Sequence, residues 1–198
     1  MKAVIDIETL PAPKETEPLL RELYERRPGR ATSFDEYWRG TSFSGNFGRL
    51  YCIGLALGDD AASVLQGEEP AMLTQFWQMV AKASLFIGHN ILEFDLPFIY
   101  KRSIIHGIKP SHQLSFARYR SSPIFDTMRE WDNWSTPSTS LDQLAKILGL
   151  ASSKQGMDGS LVYAAYLKGQ HQAVYDYCAR DVELTRQIYQ RLTFQSKT

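Results

Sequence analysis

Cysteine is scarce in this chain, with two residues, Cys52 and Cys178, among 198. They are far apart, form no C-x-x-C pair and sit inside apolar patterns, which excludes a disulfide framework and a thiolate zinc site; the expectation is two reduced, buried thiols in a cytosolic protein. Net charge is also missing, because 22 Lys and Arg balance 22 Asp and Glu. There is no global basic field to hold a long duplex, so any polyanionic partner would have to be gripped locally. No run of about 18 apolar residues occurs, which excludes a membrane-spanning helix. The N-terminus lacks a signal-peptide pattern, since Asp6 and Glu8 interrupt its apolar stretch. Internal repeats and low-complexity tracts are absent as well. Hydrophobic residues make up 43% and aromatics 12% of the chain, which is enough for a sizeable core and argues against a disordered or fibrous protein. The length fits a single domain over residues 1–198, with an insertion at about 11–48 and a short polar tail at 193–198.

What is present starts with Ala3-Val4-Ile5-Asp6-Ile7-Glu8-Thr9. As a strand, alternate residues share a face, so Asp6 and Glu8 point the same way. Two carboxylates on one face of a buried strand repel and lose hydration, a costly arrangement unless a cation lies between them. This strand therefore reads as half of a metal site. Pro11 and Pro13 end it. The segment from 14 to 48 is long and polar for a strand connection. Within it, Glu15–Arg27 has helical periodicity and Ser33-Phe34-Asp35-Glu36 reads as a capping box. With Arg26, Arg27, Arg30, Arg39 and Arg49 the region is locally basic. It reads either as a solvated insertion with its own aromatic cluster or as a flap beside the metal site.

Further along, strands are expected at Arg49–Leu57 and Ala62–Leu65, joined by the Gly58-Asp59-Asp60 turn. A helix from Pro70 to about Val80 precedes a buried strand at Leu85–Gly88, which a helix crossover makes parallel to the first. Helix at 93–106, loop at 107–122, a short edge strand at Pro123–Asp126 and a polar linker at Trp131–Thr139 follow. Ser140-Leu141-Asp142-Gln143 opens a helix that Gly149 closes. A loop at 152–159, a helix at 161–167 and a last helix at 172–192 complete the chain. The order fits an α/β, ribonuclease-H-like mixed five-stranded sheet, three antiparallel strands and then parallel ones, with helices on both faces.

Two further stretches carry acids at useful places. Gly88-His89-Asn90-Ile91-Leu92-Glu93-Phe94-Asp95 follows the parallel strand, where ligands gather in open sheets. Tyr177 and Asp181 are four apart on one face of the last helix, Asp181 at the edge of an apolar stripe where a carboxylate needs a partner. D-x-E alone is a weak signal, since Asp181-Val182-Glu183 repeats it.

The ordered set Asp6-x-Glu8, Asn90-x-x-x-Phe94-Asp95 and Tyr177-x-x-x-Asp181 resembles the DEDD superfamily of 3′-to-5′ exonucleases. The tyrosine points to its DEDDy branch, as in the proofreading domains of family-B DNA polymerases; the histidine branch would need His where Asp176 stands. Gly48-Arg49-Leu50-Tyr51-Cys52-Ile53-Gly54, Met157-Asp158-Gly159-Ser160 and Tyr177-Cys178-x-x-Asp181-Val182-x-x-Thr185 resemble the stand-alone predicted exonucleases related to those domains. The resemblance implies hydrolysis of phosphodiester bonds from a free 3′ end of nucleic acid, single-stranded DNA before RNA; the reduced thiols and the missing apolar run point separately to a cytoplasmic location and no membrane. It implies Asp6, Glu8, Asp95, Tyr177 and Asp181 as catalytic residues and the four acids as ligands of two divalent cations, Mg2+ or Mn2+, whose oxygen-only ligand set suits those ions. Thr9, Leu10, Asn90 and Phe94 would bind substrate. Lys154, His89, Arg118 and Arg120 are candidate phosphate contacts, and Asp126 is candidate support. Trimming of RNA 3′ ends and a non-catalytic module that holds single-strand ends are the alternative readings.

Overall fold

The computed structural model describes residues 1–117, 123–154 and 156–195. Among these described residues the sheet contains five strands, β1 (Lys2–Leu10), β2 (Arg49–Leu57), β3 (Ser63–Gln66), β4 (Leu85–Gly88) and β5 (Ile124–Asp126). They lie in the order β3-β2-β1-β4-β5. The β1–β2 and β2–β3 pairs are antiparallel, while β1–β4 and β4–β5 are parallel. This is the mixed sheet expected from the chain, with β5 on its edge. The helices are α1 (Glu17–Arg26), α2 (Phe34–Gly40), α3 (Glu69–Met79), α4 (Asp95–Ile105), α5 (Thr127–Asp132), α6 (Leu141–Ile147), α7 (Val162–Leu167) and α8 (His171–Leu192). Among the described residues, no helix is long and apolar enough to cross a membrane.

Central β1 is buried on both faces, and its alternation sorts the two layers. Ala3, Ile5 and Ile7 pack with Phe76 and Trp77 of α3 and with Leu96 and Ile99 of α4. Val4 packs with Ala56, Ile87 and, from α8, Val182 and Tyr189. Leu10 lies in the adjoining cluster with Tyr177 and Cys178. The even-numbered residues of β1 thus face α8, and Asp6 and Glu8 are among them. Helix α8 has the apolar stripe that such a seat requires, and α6 covers its far side through Leu144 and Ala145 against Leu184 and Ile188.

The approach of α8 to the sheet is set by one glycine. A Cβ on Gly54 of β2 would lie 2.7 Å from Val182 Cγ2 and 2.8 Å from Cys178 Sγ. Close backbone contact here holds Tyr177 and Asp181 over β1. Gly54→Ala is expected to cost about 1–3 kcal/mol through overpacking, a fall of several degrees in Tm for a chain of this size. An unchanged melt would show that α8 has slack at this contact.

The differences from expectation are local. The strand boundaries agree to within about two residues, whereas α5 falls where no helix was expected. Ser33 caps α2 by accepting from the Glu36 amide, but Glu36 reaches back to the amide and hydroxyl of Thr32 rather than to Ser33. Both cysteines are free and buried, as expected.

Candidate active site

Oxygen atoms of Asp6, Glu8 and Asp181 lie within 4.8 Å of one another. Glu8 and Asp181 are 8% and 5% exposed, and Asp6 is partly open. The three groups come from two elements. Asp6 and Glu8 share the α8-facing side of β1, and Asp181 descends from α8. Just beyond Glu8 the β1–β2 ladder shifts, pairing Glu8 with Cys52 and Thr9 with Leu50, so Tyr51 is the extra residue of a bulge. Bulges re-aim side chains beside such sites.

Asp95 stands next to this group. Its Oδ1 accepts from the Ile7 amide at 3.1 Å. The parallel ladder with β4 covers only Lys2 to Val4 of β1, so the Ile7 amide lies beyond it; Asp95, at the start of α4, supplies the missing acceptor. The loop that carries Asp95 is itself tied down by Asp126, at the end of β5. Asp126 accepts from the amides of Asn90 at 2.9 Å, Leu92 at 3.1 Å, Met128 at 3.1 Å and Arg129 at 3.2 Å.

Burial and mutual repulsion dominate the electrostatics. Burial raises the Asp6 pKa well above the carboxylate range, and the charges of Asp181, Glu8 and Asp95 push the same way. Burial also raises Glu8, aided by Cys52, Asp181 and Asp95. Burial pushes Asp95 up to about 8. Asp181 is raised by burial against the opposing pull of Ser153, Tyr177, Arg180 and Lys154. Oδ1 of Asp181 is buried and finds no hydrogen-bond partner among the described residues. A buried, unpartnered oxygen among clustered acids is the donor set of a hard divalent cation, which would satisfy it and relieve the repulsion. The residues present therefore fit such an ion.

Tyr177 lies one helical turn before Asp181 and is buried, and its phenol is held far above its usual pKa, by burial first and then by Asp181 and Glu8. It stays protonated at any physiological pH. The Cys178 thiol donates to Asp6 Oδ2 at 3.5 Å, a contact that no motif announced. Ser153, buried beside Asp181, is a second residue without a signal in the sequence.

A cavity of about 1200 Å3 opens over the acids, with Asp6, Glu8, Tyr177 and Asp181 in its lining. Thr9 and Phe94 also line it, as do Gly159, Ser160 and Tyr163. The segment between β1 and β2 contributes much of the rest, from Pro28 and Arg30 to Arg39, Phe43 and Phe47. Two of the expected substrate contacts are placed elsewhere. Leu10 is 3% exposed and packs in the core with Tyr177 and Val162; its even-numbered position turns it under α8 rather than into the cavity. Asn90 does not line the cavity either; it adopts a φ of 61°, and its side-chain Oδ1 is buried with no partner among the described residues. His89 is no phosphate contact, because Thr127 Oγ1 and the Thr139 carbonyl occupy both ring nitrogens at 3.0 Å and burial pulls its pKa down to about 4. Arg118 and Arg120 lie outside the described residues.

The fold has a counterpart in the family B DNA polymerase from the hyperthermophilic archaeon Pyrobaculum calidifontis, with a TM-score of 0.69 and 15% identity. The match covers 97% of this chain and 24% of the polymerase, and it supports a ribonuclease-H-like fold. An uncharacterized protein of Methanocaldococcus jannaschii is 28% identical over 157 residues, covering 73% of this chain and 85% of that protein. A family model described as a predicted 3′-5′ exonuclease related to the exonuclease domain of PolB matches residues 55–198, which include Asp95, Tyr177 and Asp181. That match begins within β2 and spans most of the chain. By this match, the chain belongs to the family of predicted 3′-5′ exonucleases related to the exonuclease domain of PolB.

Proposed function

We propose that this chain is a divalent-cation-dependent exonuclease that removes nucleotides from the 3′ end of single-stranded DNA. The observation that carries the reading is the convergence of Asp6, Glu8 and Asp181 within 4.8 Å in the wall of a large cavity. A cavity of about 1200 Å3 exceeds the roughly 300–1,000 Å3 typical of small-molecule pockets and suits a polymer end.

Asp6, Glu8 and Asp181 would hold the cation, with Asp95 adding negative charge from beside them for a second one. Mg2+ or Mn2+ bound here would supply an activated water and stabilise the leaving 3′ oxygen. The chain's own residues do the rest. Asp95 fixes the backbone between Asp6 and Glu8 through the Ile7 amide, so the two carboxylates are held before any ion arrives. Tyr177, whose phenol is held protonated by burial, acts as a hydrogen-bond donor that orients the attacking water. Phe94 lines the cavity and offers an apolar surface to the terminal nucleotide.

The direct test incubates a 5′-labelled single-stranded oligonucleotide with Mg2+ or Mn2+, at stated salt, beside a chelator control. The expected product is a ladder shortened from the 3′ end. Tight binding without any shortening would make the chain an end-binding module instead, and faster digestion of a matched RNA would reassign the substrate. Tyr177→Phe is expected to lower kcat on the order of 10²-fold by misplacing the water while cation affinity measured by calorimetry holds. Wild-type turnover in that variant would remove the phenol from the mechanism.

A further inference from the structure

The insertion contains a side chain whose exposure its own packing does not explain. Residues Thr41–Phe43 form a single 3-10 turn. The Thr9 hydroxyl, one residue after Glu8, donates to the Ser42 carbonyl at 2.7 Å. The Ala12 amide donates to Thr41 Oγ1 at 2.8 Å, and that hydroxyl donates to the Trp38 carbonyl at 2.5 Å. Gly48 closes the segment so tightly that a Cβ there would lie 2.5 Å from the Thr41 carbonyl oxygen. The backbone of this turn is therefore fastened to the strand that carries the acids. Yet the Phe43 side chain it presents is 77% exposed.

A single exposed apolar residue is ordinary by itself. This one differs in where it stands. Phe43 lines the cavity that Asp6, Glu8 and Asp181 line, together with Phe47 and Phe94. Arg30 and Arg39 line it too. Arg39 pairs with Asp35 at 2.8 Å, both exposed, a pairing weak enough to yield to a phosphate. Aromatic platforms beside cations are how proteins hold a single strand without reading its sequence, because every base has a face to stack. A net charge of zero means that such a grip must be local.

Building on the nuclease reading of the acid site, we propose that Phe43 is the platform on which a base of the bound single strand stacks, with Arg30 and Arg39 contacting its phosphates. The insertion then supplies the single-strand preference, and it lies outside the 55–198 stretch that the family match covers. The carboxylates supply the chemistry, and the fastened turn supplies the hold.

The test measures binding of a fluorescein-labelled oligothymidylate by anisotropy in chelator, at fixed low salt, so that nothing is cut. Phe43→Ala should weaken Kd about tenfold, the scale of one lost base–aromatic stack. Phe43→Trp should restore it, which a merely structural role for the ring would not do. A Kd for Phe43→Ala within twofold of the wild type, with an unchanged melting temperature, overturns the proposal whether or not the protein cuts. Metal-dependent hydrolysis of the p-nitrophenyl ester of thymidine 5′-monophosphate by the wild type, measured alongside, reports on the acid site alone. Loss of that hydrolysis with the Phe43 effect intact would overturn the nuclease reading and leave the platform standing.

Discussion

Asp6→Asn is expected to reduce cation-dependent strand shortening by at least ~10³-fold and, at the same time, to raise the melting temperature of the cation-free protein at alkaline pH. Both effects have one cause. Burial, then Asp181, Glu8 and Asp95, all press on the Asp6 carboxylate. An amide of the same shape removes a charge that the folded protein tolerates poorly without a counter-ion. The pH dependence has a definite sign. The folded-state pKa values of these acids are raised, Asp95 to about 8, so the native state holds protons that the unfolded chain releases near pH 4. The contribution of these acids to stability is greatest below that unfolded value and is lost as pH rises through the folded values. In chelator the wild type should therefore melt lower at pH 8.5 than at pH 5.5, and Asp6→Asn should narrow the gap. Added Mg2+ or Mn2+ should lift the wild type at pH 8.5 and leave the variant nearly unmoved. Thermal melts in the four combinations of pH and cation decide it. A wild type that is flat with pH, or unaffected by either ion, would argue against a charged cation site.

Asp126→Ala is expected to be the most destabilising change outside the apolar core. Its carboxylate is the acceptor for four backbone amides, two from the loop that leads to Asp95 and two from the first turn of α5. Loss of the cap alone costs about 1 kcal/mol, and each buried donor left without a partner costs about 1–3 kcal/mol more. With the two loop donors added to the cap, a total of about 3–7 kcal/mol corresponds to a fall in Tm on the order of 10 °C. Asp126→Asn should fall between, since one of its terminal atoms is an NH2 that cannot accept from the Leu92 amide. Thermal or urea melts measure the loss, and cation affinity should drop with it as the Asp95 loop loosens. A drop below about 1 kcal/mol would mean that water replaces the carboxylate at these amides.

The reach of local pattern is visible residue by residue. Period-two alternation placed Asp6 and Glu8 on one face of β1, and a spacing of four placed Tyr177 and Asp181 on one face of α8. The crossover argument made β4 parallel to β1, as it is. Local pattern failed where a residue's role depends on a distant partner. His89 looked like a cation near phosphates, but Thr127 and Thr139 take up its ring. Helix α5 has six residues, too few to show a period, and its start depends on the Asp126 cap. Leu10 follows Glu8 at the strand spacing, and that same alternation carries it under α8.

The sequence alone determined which residues share a face, because side-chain direction in a strand or helix depends only on the backbone repeat of a few neighbours. Only the tertiary structure decided which faces meet. Asp6 meets Cys178, 172 residues away, and the Ile7 amide meets Asp95 at a separation of 88. Those meetings depend on strand order, on the room Gly54 leaves for α8 and on the Thr41–Phe43 turn that Thr9 holds beside the acids. Such contacts form only when the whole chain closes on itself, so no local repeat encodes them. Asp6 and Glu8 could thus be recognised early as an unbalanced pair and Asp181 as a candidate from its place on the last helix, whereas their meeting, the cavity and its aromatic wall came with the fold.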